Sequence, residues 1–495
     1  MHSIAKRVNY LLRSTKGLTL LAVGIVSLVT AVWGLLSGPM VEWGVRDFVV
    51  ETLGMSLLPA EREGRIIMLY HSIAMIIVAI EVYFITDSLD MKPSQKSTIN
   101  ATVTVGYQCA AIFGLLFGYF GHNYIFHGIF LFGQSLMFFG GLMLAAALWP
   151  WRQEYRIPDT ERARTKRGLD LERLAFFVMA IATLGSALFG AVAGSFYGNG
   201  FETFLAEDVI REPHKTPLQL AIIGHLHIML TLIGVAITLI IGRWLDFKGV
   251  WHKLAMPSMI VGTIIITLGV WAVVPFEAIA HIIIYAGSVF VLLGGLFLVI
   301  FAWGKLIREQ TTAWGITQPS FGQKLKALFH DPLKFGATWQ MVFMNFSVTF
   351  IGLFMAARLE EVMRVWPARE ERITLTGHWH ILATIIATIM LFYFADKMGL
   401  KGRARKWFGW IVIVGSDVAF AAVTAFSIKR LLVSELAQQR FVNVTTILAD
   451  TGLAVVLIAL AVFLMWRLID LFKRKGKWMH ELATTEIGDE LPEGK

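Results

Sequence analysis

Residues 376–396 read TGHWHILATIIATIMLFYFAD. Behind two histidines the run carries no charge until Asp396. A helix of about 20 mostly apolar residues matches the hydrocarbon thickness of a bilayer. Eleven similar stretches flank it, giving spans at about 18–38, 65–87, 98–120, 124–148, 172–194, 217–243, 255–275, 278–303, 338–357, 376–396, 407–427 and 443–470. The whole chain follows this bias. Its 495 residues are 56% hydrophobic and only 16% charged, against roughly a quarter charged in a soluble domain. The fold class that follows is all-α: a polytopic membrane protein of about twelve transmembrane helices in contact with lipid.

The net charge of +9 does not indicate nucleic acid. The positive residues gather in alternate loops: Lys6, Arg7, Arg13 and Lys16 before span one, Arg152 to Arg167 after span four, and Arg243, Lys248 and Lys253 after span six. Lys305, Arg308, Lys324 and Lys326 follow span eight, Lys397 to Lys406 follow span ten, and Lys473 to Lys477 follow span twelve. Basic loops stay on the cytoplasmic side, so both termini are expected there, with 471–495 a cytoplasmic tail. The basic N-terminus leads into a run long enough to span, and no cleavable signal is expected. Cys109 is the one cysteine. It excludes disulfides, Fe–S clusters held by this chain and a C-x-x-C-H haem attachment.

The chain repeats internally. His71 and His225 are 154 residues apart, and so are His127 and His281, Gly133 and Gly287, and the pairs Gly140-Gly141 and Gly294-Gly295. His378 follows His225 by 153. Such periodicity reuses one supersecondary unit. The reading is a single integral domain over 1–495, in three four-helix units at roughly 18–148, 172–303 and 338–470.

His71, His225, His227, His378 and His380 open the second helix of each unit. Ionisable residues inside spans are costly and mark function, and neutral imidazole ligates haem iron. Residues i and i+2 on a helix point about 200° apart. The two members of each His-x-His pair therefore serve opposite sides of their helix, not one metal. The plainer alternative is that each imidazole hydrogen-bonds a nearby carbonyl.

Twelve helices, threefold similarity, a histidine opening helix two and His-x-His on helix ten together resemble the central subunit of the haem-copper oxidase superfamily. The size is closest to its nitric oxide reductase branch. The resemblance implies that His71 and His380 hold a low-spin haem, and that His378 is the axial ligand of a second. It also implies a prokaryotic-type inner membrane. The family further holds a copper or non-haem iron on one helix-six histidine and a His-His pair on helix seven. His225 stands at the first place. The stretch Gly269 to Phe276, which is similar to the family's Trp-Ala-His-His segment, carries Val273 and Val274 at the other two. The family's helix-six Tyr or Glu is here Met229. No copper is expected.

The expectation is two low-spin, non-covalent haem b groups, with His225 or His227 closing the second iron opposite His378. The chain is then a b-type cytochrome carrying electrons between the quinone pool and an outer-side partner, a cytochrome c or Fe–S protein, within a respiratory complex. Lys429 and Arg430 are either partners of haem propionates or ordinary interface charges. His127 and His281 are candidates for a quinone head group or a third cofactor, or bind outer-loop backbone; His122 shares that reading. Glu81, Asp417 and Asp450 lie within spans, as proton relays or as structural pairs. His2, His214, His252, His330 and His480 are placed in loops or tails and assigned nothing. Two alternatives remain. One is a terminal oxidase or nitric oxide reductase with a rebuilt metal site on His225, His227 or His281. The other is a cofactor-free transporter.

Overall fold

The structure is a computed structural model that describes residues 4–37, 44–58, 62–121, 123–157, 168–195, 217–358 and 368–473. His122, the loop residues 158–167 and the tail beyond Lys473 lie outside them. Among the described residues there is no β-strand. The long helices are α1 (Thr15–Ser37), α2 (Arg62–Ser88), α3 (Pro93–Tyr119), α4 (Tyr124–Leu148), α5 (Leu171–Ser195), α6 (Pro217–Trp244), α7 (Gly249–Trp271) and α8 (Glu277–Ala313). After them come α9 (Pro332–Phe343 and Thr349–Ala357, joined by a π-helical turn at Met344–Val348), α10 (Ala368–Lys397), α11 (Gly402–Ser427) and α12 (Glu435–Phe472).

Eleven of these are long and apolar enough to cross a bilayer. The chain is an all-α, multi-pass membrane protein. The ninth span is there as α9, but its π turn breaks it into pieces too short to qualify alone. Several helices outrun their apolar stretch. α9 begins at Pro332, not 338, because the Asp331 carboxylate caps the Leu333 and Lys334 amides and proline suits the first turn. α7 begins at Gly249, which places His252 inside a helix instead of in a loop. Its ring is fully buried, with its centroid 5.3 Å from that of Phe247.

Two compact units emerge. The first comprises Met1–Met55, Leu69–Met137 and Val456–Lys495. Within it α2 and α3 are joined by interhelical hydrogen bonds, the kind that compensates polar groups away from water. Ser72 Oγ donates to Ala111 O at 3.1 Å, Tyr83 OH meets Thr104 Oγ1 at 2.6 Å, and Thr86 Oγ1 donates to Asn100 Oδ1 at 2.9 Å. Arg7, on the short helix Ile4–Arg13, is buried and donates to Leu471 O at 2.9 Å and Lys473 O at 3.1 Å. It thereby satisfies carbonyls at the end of α12 that have no helical partner.

The second unit comprises Ser56–Met68 and Phe138–Val455. Its ion pairs collect where the basic loops join the helices. Arg243, ending α6, binds Glu172, opening α5, at 2.9 Å. Arg405, opening α11, grips Asp331 through Nε at 3.0 Å and Nη2 at 2.9 Å, and also binds Asp396 at the end of α10. Asp396 in turn accepts from Trp244 Nε1 at 2.7 Å.

Glycines set how closely the third and fourth helix of each repeat approach. In the first unit, a Cβ on Gly106 would lie 3.1 Å from Gly133 O and 3.0 Å from Met137 N. In the second, a Cβ on Gly262 would lie 2.9 Å from Gly287 O and against Val291. Gly287 and Val291 are each 154 residues beyond Gly133 and Met137. α11 and α12 cross the same way, with a Cβ on Gly452 falling 2.5 Å from Gly415 O. Gly287→Ala sets a methyl 2.5 Å from Ile266 N and should cost about 1–3 kcal/mol. Gly304→Ala meets nothing within 4 Å and should be neutral or mildly stabilising. Thermal unfolding of the detergent-purified variants checks both.

Candidate functional site

The candidate histidines of the second unit lie at the helix ends opposite the ion pairs, whereas His252 and His330 lie on the ion-pair side. His225 and His227 lie near the start of α6, His281 near the start of α8, and His378 on α10 beside the close of α9 and α11.

His225 turns toward α5. Its Nδ1 lies 3.0 Å from Ser186 O, and the ring occupies the space a side chain on Gly190 would need, with Nε2 2.6 Å from an ideal Cβ there. The fully buried Ser186 also accepts at Oγ from Trp271 Nε1 at 3.4 Å. His225 thus helps fasten α6 to α5 beneath α7.

His227 points elsewhere. It lies within electrostatic reach of both His281 and His378. Among the described residues no hydrogen bond engages its ring or that of His281, which stacks on Tyr285 with centroids 6.4 Å apart. His378 is 7% exposed, and its Nδ1 is buried with no hydrogen-bond partner. The backbone of Val348, in the π turn of α9, faces its ring. Gly352 leaves it room: a Cβ there would sit 3.2 Å from His378 Cε1. A second orphan lies in the same π turn, where Asn345 is buried with its Nδ2 unpartnered. π turns in helices recur at functional sites, and an unsatisfied buried nitrogen calls for a ligand or ion.

The glycine before each His-x-His pair is a packing device. A Cβ on Gly224 would lie 3.2 Å from Val270 Cγ1 and 3.3 Å from Val273 Cγ1. A Cβ on Gly377 would run into Ser427 Oγ, and Thr374 Oγ1 donates to Ser427 O at 3.1 Å. Val273 is buried in the turn that ends α7.

The remaining sequence candidates are dispersed. In the first unit, half-buried His71 lies on α2, and His127 stacks on Phe117 with centroids 5.0 Å apart. In the second, His380 is exposed. Lys429 is buried with its ammonium 5.5 Å from the Phe426 ring centre, whereas Arg430 is exposed. Among the described residues no three His, Cys, Asp or Glu side chains lie close enough to hold a bare metal ion. The chain matches no protein-family model and no curated protein. The site therefore stands on its own geometry.

Sequence reading passed over Ser186, Gly190, Asn345 and Gly352. Asn345, an amide within an apolar run, was the one visible signal; the others are small residues whose role is the space they leave. Gly377→Ala should destabilise by about 1–3 kcal/mol. The loss should shrink in a Ser427→Gly background, which removes the clashing hydroxyl, and a double-mutant cycle on thermal stability reads the coupling.

Proposed function

We propose that this chain is a b-type dihaem membrane cytochrome that passes electrons between the quinone pool and an outer-side redox protein, a cytochrome c or an Fe–S protein, within a respiratory complex. The observation that supports it best is the group His227, His281 and His378, each of which, among the described residues, keeps at least one ring nitrogen without a hydrogen bond. A metal-bound imidazole gives one nitrogen to the metal and presents the other to a carbonyl or carboxylate. His378 suits this division, with Nδ1 open and the Val348 backbone at its ring. Haem, when bound, supplies a reversible one-electron iron couple.

In this reading His378 and His227 close one iron from both sides; a second haem on His71 and His380 is what the resemblance to the haem-copper oxidase superfamily implies. His225 is a positioning residue, its Nδ1 engaged by Ser186. Val273 and Val274 provide no ligand for a second metal, and the Val273 methyl groups pack on Gly224. Two closed irons suit electron transfer better than gas reduction. Lys429 and Arg430 are the cations available to propionates, and His127 and His281 remain candidates for a quinone head group. The basic loops favour cytoplasmic termini, and the resemblance favours a prokaryotic-type inner membrane.

His281 beside His227 keeps a second reading alive, a terminal oxidase or nitric oxide reductase with a rebuilt metal site. Carbon monoxide separates the two. The dithionite-reduced protein should show b-type bands that carbon monoxide leaves unchanged; a large shift means an open iron and favours the enzyme. A colourless protein sinks both. Among variants, His378→Ala and His227→Ala should each lose one of two haems by pyridine haemochrome, and His380→Ala the other. His225→Ala should keep full haem content while losing about 1–3 kcal/mol of stability.

A further inference from the structure

The ion-pair end of the second unit carries cations that the haem reading leaves unused. After α8 the chain passes through Trp314 into a short helix, Phe321–Leu328, and then into α9. Ser320 Oγ accepts from Gln323 N at 3.4 Å, and Gln323 Oε1 accepts from Ser320 N at 2.8 Å, a reciprocal cap that fixes where the short helix starts. Its far end is anchored, with Ala327 and Leu328 buried. Residues 321–326 are all exposed. Phe321 is 81% exposed and Leu325, one turn on, 42%. Lys324 and Lys326 project about 100° to either side of Leu325. The Lys326 ammonium lies 5.9 Å from the ring centre of Trp314, which is itself exposed.

A second basic segment is brought alongside. Arg405, near the start of α11, holds Asp331 at the start of α9 through Nε and Nη2. The Trp410 ring of α11 packs on Phe329 and Phe335, with centroids 5.7 and 6.1 Å apart. Here Lys401, Arg403, Lys406 and Trp407 are exposed, Trp407 by 71%. Lys334, in the first turn of α9, is half-buried. Among the described residues none of the six cations Lys324, Lys326, Lys334, Lys401, Arg403 and Lys406 has a carboxylate partner. Arg405 engages both Asp331 and Asp396, and Lys305 engages Glu309. Asp331, Asp396 and Arg405 together leave one negative charge against the six positive ones.

We propose that the short helix Phe321–Leu328 and the start of α11 form a binding surface for anionic phospholipid headgroups. A group of four to eight Lys and Arg beside a membrane helix or on an amphipathic one suits such lipids. A helix with an apolar edge between two lysines suits the plane of the interface. There the ammonium groups meet headgroup phosphates, while Phe321, Leu325, Trp314 and Trp407 lie where the acyl chains begin. An acidic peptide would match the cations and leave that apolar edge in water; a lipid covers both. Other cations at this end are already spent, Arg243 on Glu172 and Lys248 on Asp246. The surface is independent of the haem ligands.

The test uses the full-length protein purified in detergent. It is mixed with micelles holding equal amounts of phosphatidylcholine and phosphatidylglycerol, and the lipid it retains through gel filtration is counted by mass spectrometry. Phosphatidylglycerol should be retained about ten-fold over phosphatidylcholine, since each nearby Lys or Arg is worth about five-fold to an anionic headgroup. Lys324→Ser/Lys326→Ser and Lys401→Ser/Lys406→Ser should each remove most of that preference. Arg440→Ser, which removes an exposed cation near the start of α12, beyond the far end of α11, should keep it. Inorganic phosphate should displace no more lipid than chloride at equal ionic strength. Equal retention of the two lipids by the wild-type protein overturns the surface, whether or not any variant folds. So does an equal loss in Arg440→Ser, because that is attraction to net charge alone. Displacement by phosphate beyond that by chloride also overturns it, since the phosphate group then suffices without the apolar edge.

Discussion

A bilayer offers no water to backbone amides and carbonyls, so every spanning segment must satisfy its own, and here all of them do so as helices. That constraint removes the hydrophobic effect as the force between helices, since lipid tails are as apolar as leucine. What remains is close packing and a few interhelical polar contacts. The crossings at Gly106 with Gly133, Gly262 with Gly287 and Gly415 with Gly452 bring backbone against backbone. The hydrogen bonds of Ser72, Tyr83 and Thr86 add polar specificity between α2 and α3.

The same constraint sorts the chemistry of the second unit. Its strong ion pairs, Arg243 with Glu172 and Arg405 with Asp331 and Asp396, sit at the helix ends joined by basic loops. The imidazoles of His225, His227, His281 and His378 occupy the other ends. Neutral histidine is the less costly group to hold there, and it remains able to ligate a metal. Glycines recur on this side as well, but their role differs. Gly190 and Gly352 leave volume that the rings of His225 and His378 fill, whereas Gly224 and Gly377 let the histidine-bearing helices approach their neighbours.

Much of the fold was legible because length and hydropathy alone demand it. Eleven of the twelve expected spans are helices long and apolar enough to cross a bilayer, the ninth is a helix in two pieces, and α8 outruns its expected end by ten residues. Helices continue past their apolar stretch when capping and buried aromatic contacts support them, as Asp331 does for α9 and Phe247 for His252 on α7. The π turn in α9 was not readable, since Met344–Val348 has the composition of ordinary helix. The site was half legible. Histidines announce themselves, and the repeat offset singled out candidates among them. Which neighbour each ring meets depends on helix rotation, a tertiary property that sequence spacing leaves open. Asp417 was visible as an acid within an apolar span, but its partners Trp339 and Gln340 lie 78 and 77 residues away.

The His-x-His geometry supplies the firmest link between sequence and site. Two residues apart on a helix means nearly opposite directions, so one member facing the unit's interior forces the other away. α6 obeys this: His225 turns to Ser186 on α5, and His227 to the side of His281 and His378. α10 obeys it too, with His378 buried and His380 exposed. The pair on α6 is therefore not redundant. A ring nitrogen bonded to a helix carbonyl fixes position, and a ring with no such bond keeps its nitrogens for a ligand. On the proposed reading it is His227, not His225, that sits opposite His378, and those two imidazoles hold the iron without the helix-seven histidines that Val273 and Val274 replace.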